Sequence, residues 1–98
     1  MTTAKKQYCI IRSVNAGVFA GIVESRKGDE VRLSNCRRIW HWRGAATLSQ
    51  LAIDGTSDPA GCKFPAPTKD HTVLGACEVI VCSAKARKSI ESVPVWKR

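Results

Sequence analysis

Hydrophobic and polar positions follow a strand-like rhythm in the first half of the chain and a mixed one in the second. Gln7-Tyr8-Cys9-Ile10-Ile11-Arg12-Ser13-Val14 is rich in β-branched and aromatic residues and reads as a strand. Asn15-Ala16-Gly17 signals a turn. Val18 to Ser25 forms a second strand, in which Gly21 marks a bulge or a close backbone approach. Arg26-Lys27-Gly28-Asp29 turns the chain again, and Glu30 to Cys36 alternates polar and apolar residues as a half-buried strand does. Arg37 to Arg43 reads as a fourth strand. The connections are short, so a meander of antiparallel strands is the simplest path.

The pattern then shifts. Thr47 to Gly55 predicts a short helix. Thr47 caps it, Gln50 completes a capping box, Leu48, Leu51 and Ala52 share one face, and Gly55 ends it. Thr56 to Asp70 holds three of the four prolines and reads as a long loop. His71 to Cys82 is one bent strand or two short ones. Ser83 caps a mostly polar helix over Ala84 to Glu91, which Pro94 stops, leaving Val95-Trp96-Lys97-Arg98 as a tail. The expected fold class is α+β. It comprises an antiparallel β-meander of five to six strands, partly barrel-like, with two short helices. Residues 1–6 are expected as a flexible arm and residues 7–98 as a single compact domain.

Composition narrows the function classes. A chain of 98 residues buries roughly 60–65% of its unfolded surface, so its stability margin is thin and homo-oligomerisation is an expected supplement. No run approaches the ~18–20 apolar residues of a membrane helix, so no membrane partner is expected. The N-terminal stretch has no apolar block after its lysines, and a secretory signal is not expected. The net charge of +8 is uneven: residues 1–43 carry +6, residues 44–82 carry −2 and residues 83–98 carry +4. A field of that sign attracts phosphate-bearing partners, whether a small nucleotide or a nucleic acid, and also suits a merely soluble basic surface.

The five cysteines are odd in number and none is paired by C-x-x-C spacing, so free thiols are expected. Cys62, in a Pro-Gly loop, is the one expected to be exposed and reactive. His41 and His71 lack carboxylates or cysteines at ligand spacing, and no nucleophile–base motif appears. Neither a metal, a cofactor nor an enzymatic activity is expected.

Arg37-Arg38-Ile39-Trp40-His41-Trp42-Arg43 is the most unusual segment. In a strand, Arg38, Trp40 and Trp42 would share one face, and Arg37, Ile39, His41 and Arg43 the other. Tryptophan offers a stacking shelf for a base, and arginine a planar fork for phosphate. The helix that follows would aim N–H groups at an anion, and Ser49 and Gln50 would add hydrogen bonds. The candidate ligand-binding residues are therefore Arg38, Trp40, Trp42, Arg43, Ser49 and Gln50. The same tryptophans also suit a core beneath the helix.

Tyr8 to Val14, Ala16-Gly17-Val18-Phe19-Ala20-Gly21, Arg38 to Ala52, Cys62-Lys63-Phe64 and Val93-Pro94-Val95-Trp96 resemble a family of small proteins of unknown function encoded by tailed bacteriophages and prophages. The specific part is R-I-W-x-W-x-G-A-x-x-L-S-Q-L-A. The resemblance implies a phage setting, in the cytoplasm of the bacterial host, and no assigned chemistry. Small phage proteins of this kind often bind host molecules. Some sequester nucleotide-derived immune signals, which takes cationic groups and aromatic shelves and no catalytic pair. The leading expectation is such an anti-defence sponge for a small anionic nucleotide. The alternatives are a nucleic-acid-binding accessory protein and a structural or host-inhibitor protein.

Overall fold

A computed structural model describes residues 6–97. The expected arm over residues 1–6 lies outside the described residues except for Lys6, whose ammonium donates to Glu24. Five strands form one antiparallel sheet: β1 (Tyr8–Ser13), β2 (Gly17–Lys27), β3 (Glu30–Arg38), β4 (Thr68–Val73) and β5 (Ala76–Val81). Two helices complete the α+β fold, α1 (Leu48–Asp54) and α2 (Ala84–Ser92), and a 3-10 turn spans Pro59–Gly61.

The sheet order is β4-β3-β2-β1-β5, so β4 and β5 lie on opposite edges. Only Leu74 and Gly75 separate them in sequence. One bent segment therefore runs along β3 with its first half and along β1 with its second, and the sheet must curl for both pairings to form. The pairing stays open, while the curl gives the sheet its partly barrel-like character. Ser13 pins the corner. Its buried hydroxyl donates to the Leu74 carbonyl at 2.8 Å and accepts from the Ala16 amide at 3.2 Å.

Strand alternation sends β1 side chains into two cores. Cys9 and Ile11 join Phe19, Val31, Leu33, Cys36 and Val73 on one face. Tyr8 and Ile10 join Ala20, Ile39, Leu51, Phe64, Ile90 and Val93 on the other, beneath both helices. Each fully buried Ile or Leu contributes roughly 1.5–3 kcal/mol, enough to hold a seven-residue helix that would not form alone. The cap expected at Thr47 is present, its hydroxyl accepting from the Gln50 amide at 3.1 Å. Ser83 caps α2 in the same way at 3.0 Å.

A register shift sets the phase of β3. Ala20 pairs with Arg37 but Ile22 with Ser34, so β3 carries one extra residue here, around Asn35. Asn35 has φ +50°, a left-handed conformation that asparagine tolerates better than most residues. Gly21 lies opposite, where a Cβ would come within 3.1 Å of the Cys36 Cα and the Ser34 carbonyl oxygen. The bulge and close approach read from Gly21 are both there. Beyond it, Cys36 belongs to the first core and Arg37 turns towards the second.

The expected fourth strand does not form as a separate element. Arg37 and Arg38 end β3. Ile39 is buried and donates to the Val18 carbonyl at 2.8 Å. The chain then leaves the sheet to pair with Lys63: the Trp40 and His41 amides both reach the Lys63 carbonyl, at 3.1 and 3.3 Å. Phe64 bridges to Val95 on the far side. The expected loop supplies the middle rung of a small patch that ties residues 40–41 to the tail, and it ends earlier than expected, because Thr68 and Asp70 already pair with Cys36 and Ser34 in β4.

Candidate functional site

The six residues singled out by sequence do not converge on one pocket. Arg38 is committed to the fold: its Nη1 donates to the Ala16 carbonyl at 2.7 Å, and its guanidinium lies 4.5 Å from the centre of the Phe19 ring. Arg43 extends outward, with its Nε 3.7 Å from Asp58. Trp40 is 64% exposed. Trp42 is half-buried: one part of it packs on the core beneath the helices and another lines a cleft. Gln50 bonds Asp54 along its own helix.

Two clefts take in three of the six. Trp42 and Ser49 line one of about 560 Å³ with Arg12, Val18, Thr47 and Glu78. Arg12 sits 3.3 Å from Glu78, its pairing partner on β5. Gln50 lines another of about 370 Å³ with Asp54, Thr56, Ser57 and Lys85. The first is lined by an indole, a guanidinium, hydroxyls and the Glu78 carboxylate; its arginine is Arg12, whereas Arg38 and Arg43 lie elsewhere. Arg12 was hidden from sequence reading because β1 and the start of α1 are far apart in the chain.

A second aromatic and cationic surface lies around Lys63. Its Nζ is 5.6 Å from the centre of the Trp96 ring. His41, paired opposite Lys63, faces the same side and is exposed. The Trp-plus-basic tail is therefore docked on the body through a backbone bond from Trp96 to the Phe64 carbonyl at 3.0 Å.

Arg37 has a different role from its neighbours. It is only 4% exposed, and its five N–H groups go to main-chain carbonyls. Nε donates to Pro65, Nη1 to Ile90 and Val93, and Nη2 to Phe64 and Pro94, over 2.6–3.5 Å. Burial pulls its pKa below the ordinary arginine value, while Tyr8 acts the other way. This clasp joins the end of α2 to the tail and the Phe64 segment. No local pattern marks it, because the fork takes carbonyls from residues 27 to 57 positions away.

The cysteines are free, as expected. The exposed one is Cys77, on edge strand β5, not Cys62. Cys62 is 6% exposed because the 3-10 turn folds its loop inward, and its sulfur lies 3.5 Å from the Arg43 carbonyl oxygen. Burial pushes the Cys36 and Cys82 thiols up to about 12. Among the described residues, no group of three His, Cys, Asp or Glu side chains gathers where a metal could be held, and no helix is long and apolar enough to cross a membrane.

A family model described as "Domain of unknown function (DUF6948)" matches residues 6–90, and the chain belongs to that family. No curated protein and no solved structure matches.

Proposed function

We propose, taking membership of that family as the premise, that the chain is a non-enzymatic binding protein for a small phosphorylated nucleotide. The carrying observation is the cleft shared by Trp42, Arg12 and Ser49. Trp42 supplies a shelf for a base, Arg12 a fork for phosphate, and Ser49 a hydroxyl to orient the ligand. The net charge of +8 supports attraction of the anion. The resemblance to phage and prophage proteins supports an infected bacterial cytoplasm as the setting and a host immune signal as the ligand, held by a homo-oligomer.

Titration calorimetry with a panel of cyclic dinucleotides and ADP-ribose derivatives tests this. At least one member should bind below about 10 μM, roughly −7 kcal/mol, and Arg12→Ala should weaken it five- to tenfold. Absence of any binding in that range refutes sequestration.

A second reading is favoured by the Lys63–Trp96 pair and the exposed Trp40. An aromatic and cationic surface of this kind suits stacking by single-stranded nucleic acid. It predicts oligonucleotide binding that weakens steeply with salt, whereas the cleft should be less sensitive.

A further inference from the structure

The Trp42 cleft holds a carboxylate that a phosphate does not call for. Among the described residues that line it, only Arg12 and Glu78 are charged. The sheet sets them side by side, since they are paired across β1 and β5. Strand alternation puts Arg12 on the face of Ile10 and Glu78 on the face of Ile80, and both isoleucines pack in the core beneath the helices. The pair therefore stands on the same side of the sheet as Trp42 and the start of α1. The Arg12 Nε lies 3.3 Å from the Glu78 Oε1. The two side chains remain 54% and 43% exposed, so a ligand in the cleft can reach both. Their charges cancel, and the chain's +8 gives this lining no net charge.

An ionised carboxylate only accepts hydrogen bonds. Against a phosphate it is a penalty. Against a base it is a selector, because bases differ in how many N–H donors stand side by side. Guanine presents two on one edge, N1–H and N2–H, and they match the two oxygens of a carboxylate as the arginine fork does. Adenine and cytosine offer one amino group beside a ring nitrogen, whose lone pair would face the second oxygen. Uracil offers one N–H between two carbonyls. Of the common bases, guanine alone meets both oxygens of Glu78 with donors. Trp42 supplies the stacking shelf. The cleft, at about 560 Å³, lies within the roughly 300–1,000 Å³ of ligand pockets and has room for a purine with its sugar. The Nε of Arg12 approaches the carboxylate, which leaves the two Nη groups for the phosphate.

We propose that Glu78 makes this cleft selective for guanine nucleotides, its carboxylate accepting from N1–H and N2–H of a base stacked on Trp42. The selectivity rests on the nucleotide reading of the cleft and adds the identity of the base. Glu78 chooses the base and Arg12 takes the phosphate.

The test is titration calorimetry of the full chain with ligands that share their phosphates and differ in the base: GDP, IDP and ADP, and cyclic di-GMP with cyclic di-AMP. GDP and cyclic di-GMP should bind at least tenfold more tightly than their adenine counterparts, since a second bond to a charged acceptor is worth about ten- to a hundredfold. IDP keeps N1–H and lacks the 2-amino group, so it should fall between GDP and ADP. Glu78→Gln should cost the guanine nucleotides at least tenfold. It should leave the adenine ones unchanged or tighter, because the repulsion of phosphate is gone; far-UV circular dichroism checks that the variant is folded. Adenine nucleotides bound as tightly as guanine ones overturn the selectivity and leave the nucleotide reading standing. IDP bound as tightly as GDP, or wild-type guanine affinity in Glu78→Gln, does the same. Absence of binding by both guanine nucleotides also overturns it, and if the wider panel of nucleotides is silent too, the nucleotide reading falls with it.

Discussion

Replacing Arg37 with methionine keeps an unbranched apolar stem, stops two atoms short of the guanidinium's end and removes the clasp. Two effects then oppose each other. Taking an unpaired charge out of the interior is favourable, and swapping buried ionic groups for apolar ones is often neutral or stabilising. Against that, the carbonyls lose their donors. The Ile90 and Phe64 carbonyls keep a second one, from the Val93 amide at 3.3 Å and the Trp96 amide at 3.0 Å. Pro65 and Pro94 are partly or fully exposed, so water can replace the guanidinium there. Val93 is 3% exposed, and its carbonyl takes the shortest bond of the five, at 2.6 Å. Stranding it costs about 1–3 kcal/mol, and losing the charge-assisted bonds to Phe64 and Ile90 adds a comparable amount. The loss wins because the donors were matched to fixed carbonyls. The expected net destabilisation is about 3 kcal/mol, a fall in Tm of ~12–24 °C for a domain of this size. Arg37→Lys should fall between, since an ammonium has three donors for five carbonyls. Urea unfolding followed by tryptophan fluorescence measures both. An Arg37→Met variant as stable as the parent would refute the reasoning and show that desolvation outweighs the clasp.

The remaining predictions concern packing and thiols. Gly55 has φ +76°, and a Cβ there would sit 2.3 Å from the Ser89 Cβ, so Gly55→Ala should force α1 and α2 apart and cost about 2–4 kcal/mol by chemical denaturation. In the native protein, a thiol reagent at pH 8 should modify Cys77 at least tenfold faster than Cys36 or Cys62, with mass spectrometry locating the adduct. The Cys36 and Cys82 thiols, raised from 9.0 to about 12 in the fold, give stability that is full below pH 9 and is lost as pH rises towards 12. The slope should approach about 1.4 kcal/mol per pH unit for each thiol, and replacing either with alanine should flatten the alkaline limb.

Much of the fold was legible because local signals agreed with one another. The two helices carried their caps at Thr47 and Ser83, and the meander followed from short turns. Gly21 announced the irregularity in β3. The sites were less legible because they depend on what lies across the sheet. Alternation through residues 37–43 assumed an unbroken strand. Ile39 does share the helix side with Arg37, but the chain leaves the sheet just beyond, and Trp40 and Trp42 end in different surroundings. Arg37 and Arg38 look alike in sequence. One caps the end of a helix and the other covers Phe19, and no local pattern separates them. Cys62 was misplaced because a proline–glycine loop suggests exposure, whereas the 3-10 turn folds it inward.

The bent segment around Leu74 also imposes an order on synthesis. β1 leaves the ribosome ahead of its partners, and on one side β2 follows at once. Its partner on the other side, β5, is some 65 residues behind it, judging by the Arg12–Cys77 contact. Until Ala76–Val81 emerges, the nascent chain holds β1, with its Ile10 and Ile11, as an open edge, a template for pairing with another chain. Closure comes in a single late step, when β4 and β5 dock on β3 and β1 together. The two edges of the finished sheet are thus completed by the same few residues, well after β1, β2 and β3 have emerged.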